Sequence, residues 1–331
     1  MKNIRDEVIH GFLHPSFDLH TTVSYRSSSS NPNFQNLPVR NSDLSHYIRK
    51  CFIPRKGRQL VEIDYSGIEV RISACYHKDP AMLKYIKDPS KDMHRDMAMD
   101  CYLLSKEEVD KKTRYCAKNM FVFPQFYGSY YVDCAKNLWE ALDSMKLEVK
   151  GKSLKQHLRE KGIKKRGSCN PEIPPRSGTF EQHIKEVETD FWSNRFPVYG
   201  QWKKDWFRKY QEKGGFDTLT GFWIEGDMPR NKVINLPVQG SAFHCLLWSL
   251  TQIQRELKKR KMKTVLVGQI HDSLIADVVP SELDDYVALA REVMTKRLLR
   301  HWKWIIVPLD IEVEVTPVNG SWFEKKSYEL N

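Results

Sequence analysis

Short apolar runs of β character alternate with longer stretches in which apolar residues recur at helical spacing. Leu60-Val61-Glu62-Ile63-Asp64-Tyr65 predicts a strand over 59–64. Ile68, Ile72 and Cys75 follow at helical spacing behind Ser66, an N-cap residue type, and predict a helix over 66–78. Further helices are expected over about 92–104 and 110–123, the second ended by Pro124, which has no N–H to give a helix interior. Helical patterning returns over 130–146. A long amphipathic pattern over 180–212 carries Phe191, Trp192, Phe196, Tyr199, Trp202 and Trp206 near one face, mostly as core. Thr218 to Phe222 reads as a tight turn between strands. A helix over about 234–260, an apparent hairpin over 263–279, a helix over 281–300 and a strand over 307–315 complete the chain. Helices inserted between strands of an apparently antiparallel sheet imply an α+β fold. The stretch from Tyr25 to Pro38 is rich in Ser, Asn and Pro, yet apolar and amide residues punctuate it, so it reads as an ordered loop.

A chain of 331 residues can bury a sizeable core and form one large or two medium domains. Its formal charge of +11 favours a polyanionic partner such as nucleic acid. Part of that surplus is local: Lys150, Lys152, Lys155, Arg159, Lys161, Lys164, Lys165 and Arg166 crowd one segment, and 147–180 reads as a basic insertion. The seven cysteines are odd in number and scattered, which speaks against a disulfide framework or zinc site and for a reducing compartment. No apolar stretch approaches the roughly 20 residues of a membrane span, and no signal-peptide core opens the chain. A cytoplasmic protein is expected.

Asp64 and Asp272 each end an apolar β-like run. Carboxylates on neighbouring strands can hold a pair of hard divalent cations, which together clamp both oxygens of a phosphoryl displacement. Taken singly, each reads as an ordinary turn residue, and Glu69, a turn further on, as a solvated helix residue. Arg114 and Lys118 stand at i and i+4, side by side on one helix face. Like charges so placed repel, and a triphosphate would compensate them. Tyr127-Gly128 follow, where an aromatic ring can stack on a base. In Asn235-Leu236-Pro237-Val238-Gln239-Gly240, Gln239 sits near an expected helix start, where its amide can reach a groove edge or sugar.

In this order the segments resemble the palm and fingers of a family A DNA polymerase, the bacterial polymerase I type. Ser28-Ser29-Ser30-Asn31-Pro32-Asn33-Phe34-Gln35-Asn36-Leu37-Pro38 resembles its template–primer loop, Asp64 to Arg71 its motif A, Arg114 to Gly128 its motif B and Gln269 to Asp272 its motif C. Asp92-Met93-His94, residues 235–242 and Val307-Pro308-Leu309-Asp310 with Trp322 match further landmarks. The resemblance implies a palm built on an antiparallel sheet and mostly helical fingers. Residues 1–90 and 231–331 would form the palm and 91–230 the fingers. It implies that Asp64, Asp272 and the Tyr65 carbonyl hold two Mg2+ ions. Glu69 would act as a steric gate against a 2′-hydroxyl. Arg114, Lys118 and His94 would hold the deoxynucleoside triphosphate, with Phe123 (or Val122) and Tyr127 packing on it and the templating position. Arg26, Gln35, Asn36, Arg71, Gln239 and His271 would contact template–primer DNA.

Three departures stand out. The spacing from Lys118 to Tyr127 is one residue longer than the family's. His271-Asp272-Ser273 replaces the common His-Asp-Glu, leaving Glu62 as a possible stand-in carboxylate. The chain begins almost at the template–primer loop, so thumb and 3′–5′ exonuclease are expected to be absent, the chain being either a truncated fragment or one half of a split, phage-encoded enzyme completed by a second polypeptide. A single-subunit RNA polymerase and a catalytically impaired DNA-binding subunit are the rival readings. Glu69 and the template–primer loop oppose the first, and the intact Asp64, Asp272, Arg114 and Lys118 oppose the second.

Overall fold

A computed structural model describes residues 2–37 and 42–329, so Pro38 at the end of the template–primer loop lies outside the described residues. The chain divides into two compact units, one of residues 1–76, 216–225 and 236–331, the other of residues 77–215 and 226–235.

The first unit is built on a sheet of five strands: β1 (Gln59–Tyr65), β2 (Val265–Ile270), β3 (Ser273–Val278), β4 (Ile311–Val315) and β5 (Lys326–Ser327). Their spatial order is β2-β3-β1-β4-β5, and every pair is antiparallel. Strand alternation sorts the side chains. Val61, Ile63, Tyr65, Leu274, Ala276 and Val313 are buried on one face. Each large aliphatic there contributes roughly 1.5–3 kcal/mol by leaving water. Glu62, Asp64, Glu312 and Glu314 lie on the other face, which they share with Leu60 and Ile275. Phe34, Leu37, Ile48 and Trp322 cover Leu60 and Ile275, closing a second core on this face. Gly268 lets the Phe34 ring lie directly on β2, since a Cβ there would stand 2.8 Å from Phe34 Cε1. Gly268→Ala is therefore expected to lower stability by about 1–3 kcal/mol, read as a reduced urea midpoint at unchanged m-value.

The helix Arg230–Lys259 starts earlier than the expected 234, and Pro237 lies inside it, so Gln239 stands in the helix body and not near its start. The Val233 carbonyl, which a residue-237 N–H would have engaged, accepts instead from Trp206 Nε1 at 3.1 Å. The strand expected from 307 begins at Ile311. The Tyr76 hydroxyl ties the helix Ile68–His77 to the Pro237 carbonyl (3.0 Å), the Ser241 hydroxyl (2.8 Å) and the Leu219 N–H (2.9 Å).

The second unit is helical, with Met93–Tyr102, Lys111–Ala117, Tyr131–Ser144, Phe180–Asp190 and Pro197–Lys213 as main helices. Phe121, Phe180, Phe191, Phe196 and Tyr199 form its buried aromatic core. Pro124 does not end the helix that begins at Lys111. A π-helical turn over Lys118–Val122, in which the Phe123 N–H donates to the Lys118 carbonyl, leads into a further α-turn, Phe123–Phe126. Pro124 falls in the first turn of this segment, where its missing N–H is tolerated. The wide turn absorbs the extra residue between Lys118 and Tyr127. The helix stops one step later at Gly128, whose φ of +85° only glycine adopts freely.

The basic segment is folded, with a small ribbon (148–149 with 152–153) and a helix, Leu154–Glu160. Half of the eight basic residues between Lys150 and Arg166 are paired locally: Lys150 with Glu108 (2.7 Å), Lys152 with Glu160 (2.9 Å), Arg166 with Glu140 (3.6 Å), and Lys155 with Asp143. All seven cysteines are unpaired. Among the described residues no helix is long and apolar enough to cross a membrane.

Candidate active site

Each unit carries its own group of the residues singled out above. In the first, Asp64 stands at the end of β1, directly across from Ser273 on β3 and Glu312 on β4. Asp272 and His271 form the two-residue turn between β2 and β3, and His271 adopts a left-handed φ of 51°. Asp64 Oδ1 is buried without a hydrogen-bond partner. Burial, then the neighbouring Asp272, Glu62 and Glu312, push the Asp64 carboxyl up to about 7 against the pull of Lys325. Burial also raises Asp272, and the charge of Glu69 adds to it. Lys325 beside Asp64, and His271 and Arg26 beside Asp272, offset this crowding only in part, and hard divalent cations fit such oxygen donors. Among the described residues no three His, Cys, Asp or Glu side chains are gathered at metal-holding distances. Water, a backbone carbonyl or substrate oxygens would complete the shell.

Glu62, the candidate stand-in carboxylate, acts on Asp64 through its charge and is engaged on one oxygen. Its Oε2 accepts from Trp322 Nε1 at 2.7 Å and pairs with Lys325 at 2.6 Å, and Lys325 also pairs with Glu314. The Tyr65 phenol is anchored in the core on Ser249 Oγ (3.0 Å) and the Met294 carbonyl (3.1 Å), which fixes the backbone beside Asp64. Arg26 pairs with Glu69 at 3.6 Å. Gln269 Oε1 accepts from Gln35 Nε2 (2.7 Å) and Ser27 Oγ (2.6 Å), and its amide donates to the His271 carbonyl (2.5 Å). One side chain thus fastens the Ser-rich loop to the turn that carries Asp272. His271 and Asn36 are exposed and Gln239 is half-buried. Arg71 is largely committed to the protein: Nε donates to the Ser66 carbonyl (2.8 Å) and Nη1 to the Pro308 carbonyl (2.6 Å).

In the second unit, Asp92 caps the helix Met93–Tyr102, accepting from the His94 and Arg95 N–H groups at 3.1 Å each. Its second oxygen accepts from Arg114 Nε at 2.7 Å, which orients the guanidinium. Burial, with Arg114 and Lys118 nearby, pushes His94 down to about 4, so its imidazole is neutral at physiological pH. His94 Nδ1 is buried without a partner. The Phe123 ring lies 5.8 Å from the His94 ring and 6.3 Å from Tyr127, and Lys118 Nζ is 5.3 Å from its centroid. Val122 is fully buried, so Phe123 is the residue of the pair that joins this group. Tyr127 is exposed, and its carbonyl accepts from Asn235 Nδ2 at 2.9 Å.

The chain pattern gave no role to Gln125, an amide within an aromatic segment. It is buried, donates to Glu188 Oε1 (2.6 Å) and accepts from Trp192 Nε1 (2.7 Å), and Lys203 Nζ lies 3.2 Å from the Trp192 ring centroid. These bonds hold the π-turned helix in place. Gln125→Leu, which removes one hydrogen bond from Glu188 and leaves the Trp192 N–H unpaired, is expected to destabilise the protein by about 1–3 kcal/mol in denaturant titrations.

Half-buried, crowded carboxylates at the end of a sheet, and a helix face combining cations, a neutral imidazole and aromatic rings, are the parts used by proteins that transfer phosphoryl groups. The sequence model of DNA polymerase family A matches residues 1–147 and 194–323, and the chain belongs to that family. The unmatched 148–193 contains most of the basic segment expected to be an insertion. The chain is 26% identical over 333 residues to the DNA polymerase of Bacillus phage SP01, covering 94% of this chain and 32% of that protein. It is 28% identical over 314 residues to the thermostable DNA polymerase I of Thermus thermophilus, covering 92% and 32% respectively. It therefore spans about a third of the length of these relatives. Among solved structures it is similar to the POL domain of Pol1 from M. smegmatis in complex with DNA primer-template and dNTP. That match has a TM-score of 0.74 and 21% identity, and covers 98% of this chain and 50% of that one.

Proposed function

We propose that the chain is the palm and fingers of a template-directed DNA polymerase acting in DNA replication, adding deoxynucleotides to a primer 3′-hydroxyl. The observation that carries this reading is the pair of crowded carboxyls at Asp64 and Asp272, both raised by burial and by neighbouring carboxylates, one with an orphaned oxygen. With Tyr65's carbonyl they would hold two Mg2+ ions, which when bound lower the pKa of the attacking hydroxyl and neutralise the leaving pyrophosphate. Arg114, aimed by Asp92, and Lys118 bind the triphosphate, and the neutral His94 supplies a further hydrogen bond to it. Phe123 and Tyr127 pack against the incoming and templating nucleotides. Glu69, steadied by Arg26, fills the space a 2′-hydroxyl would need. Gln35, Asn36, Gln239, His271, Arg26 and the remaining edge of Arg71 hold template and primer.

The test is single-nucleotide extension of a primer–template with Mg2+, offering the complementary deoxynucleotide, a mismatched one and the complementary ribonucleotide. Extension by the first alone is expected. Equal use of the ribonucleotide would favour an RNA polymerase. Glu69→Ala is expected to raise ribonucleotide incorporation at least tenfold, an amount worth about 1.4 kcal/mol, measured as the ratio of kcat/KM values.

A second polypeptide bearing a thumb and exonuclease remains part of the proposal. One observation favours it: a cavity of about 1170 Å³ in the first unit is lined mainly by apolar residues, among them Phe12, Ile53 and Val267, all exposed. Addition of such a partner is expected to lengthen the products made per binding event without changing which nucleotide is chosen.

A further inference from the structure

We propose a second nucleic-acid site in the first unit, a stacking platform for a single strand on the helices that cover the buried face of the sheet. Its centre is a run in which cationic and aromatic residues alternate, Arg300-His301-Trp302-Lys303-Trp304. Trp248, from the helix Arg230–Lys259, adds a fourth ring. The rings are ordered. Trp248 and His301 stack with centroids 4.8 Å apart and planes 18° apart, and Trp302 stacks on Trp304 at 5.6 Å and 28°. Trp302 joins the two pairs, lying 5.4 Å from His301 and 6.3 Å from Trp248. None of the four is enclosed in a core: His301 is exposed and the three tryptophans are half-buried. Large flat rings left partly in water at one spot mark a surface that gains from a partner with flat faces of its own. Bases offer such faces where they are unpaired, which selects a single strand over a duplex. The charge agrees. Lys303 makes no ion pair among the described residues, and Arg300 reaches Glu292 only at 3.9 Å, a carboxylate already held by Arg297 at 2.9 Å. Phosphates along a strand can meet these two cations while its bases meet the rings. The platform is separate from the carboxylates. Ser249, next to Trp248, and the Met294 carbonyl hold the Tyr65 phenol, so these helices cover the sheet face opposite the one bearing Asp64.

The experiment is fluorescence anisotropy of a labelled oligothymidylate about 12 nucleotides long, bound to the full chain in excess unlabelled hairpin duplex that occupies any primer–template site. An oligouridylate of the same length distinguishes DNA from RNA as the strand. Wild type is compared with His301→Phe, which keeps a flat aromatic face, His301→Leu, which keeps only apolar volume, and Arg300→Gln/Lys303→Gln. His301 is exposed, so substitution there leaves the fold intact. Leu is expected to weaken binding about tenfold and Phe to leave it within about twofold. The double variant is expected to flatten the plot of log K against log salt by about 1.4, two single-strand phosphate contacts. Primer extension should be unchanged in all three, so the platform and the polymerase reading stand or fall separately. Equal oligonucleotide binding by wild type, His301→Leu and the double variant would overturn the proposal. Equal losses in His301→Phe and His301→Leu would contradict stacking. Anionic lipid vesicles that bind wild type and not the variants, with oligonucleotide binding untouched, would assign the face to a membrane surface and overturn it as well.

Discussion

Asp64→Asn is expected to abolish primer extension and, in the absence of divalent cations, to make the protein more stable. Both effects come from one cause. The folded-state pKa of Asp64 is raised from 3.8 to about 7 by burial and by neighbouring carboxylates. Between those two values the folded state binds more protons than the unfolded state, so this group's contribution is fully present below about pH 4 and is lost as pH rises through 7. At pH 8 the charged carboxylate therefore lowers stability by up to about 4 kcal/mol. Asn keeps the shape, removes the charge and removes this group's share of the pH dependence. The variant should unfold at higher urea concentration than wild type at pH 8 and at a similar one at pH 4. Adding Mg2+ or Mn2+ should raise the wild-type midpoint and leave that of the variant nearly unchanged, because only the wild type gains ligand-linked stability. An Asp64→Asn protein that melts earlier than wild type at pH 8 would show that the carboxylate has a partner within the protein and no need of a cation.

Lys118→Ala is expected to lower kcat/KM for deoxynucleotide addition by a factor of about 10²–10³, as for removal of a preorganised charge beside a developing anion. Lys118 opens the π-turn, makes no ion pair among the described residues, and stands beside Phe123 and His94. Arg114, by contrast, keeps Asp92 as a partner. The loss should appear in both KM and kcat in rapid-quench single-nucleotide assays, since the charge meets the triphosphate before and during transfer. Binding of primer–template alone should change little. A Lys118→Ala enzyme with unaltered nucleotide KM would place the triphosphate elsewhere.

The elements that position these groups were legible in the sequence where pattern and punctuation agreed. The strand at 59–64 and the hairpin at 263–279 are short apolar runs that end in turn residues, and both are present with Asp64 and Asp272 at their tips. Proline misled at one position. Pro124 read as a helix end, yet it is accommodated in the turn that follows a π-bulge, as Pro237, inside a helix expected from 234, is tolerated because a tryptophan N–H takes the carbonyl it leaves unused. Such compensation is tertiary and leaves no local mark. Register was equally invisible. Nothing in the spacing says that Glu312 faces Asp64 or that Lys325 neutralises Glu62, because both depend on which strands pair and with what offset. Gln125 was the one missed residue with a visible signal, a lone amide in an aromatic run, but its partners lie more than 60 positions away.

The most direct test of the central claim is single-turnover primer extension with enzyme in excess over primer–template, in Mg2+ and deoxynucleotides, comparing wild type with Asp64→Ala and Asp272→Ala. Enzyme excess offsets weak grip on the duplex, so the chemistry is read independently of processivity. The account predicts that wild type extends the primer and that each substitution alone reduces extension to background while primer–template binding persists. Extension that survives either substitution would contradict it.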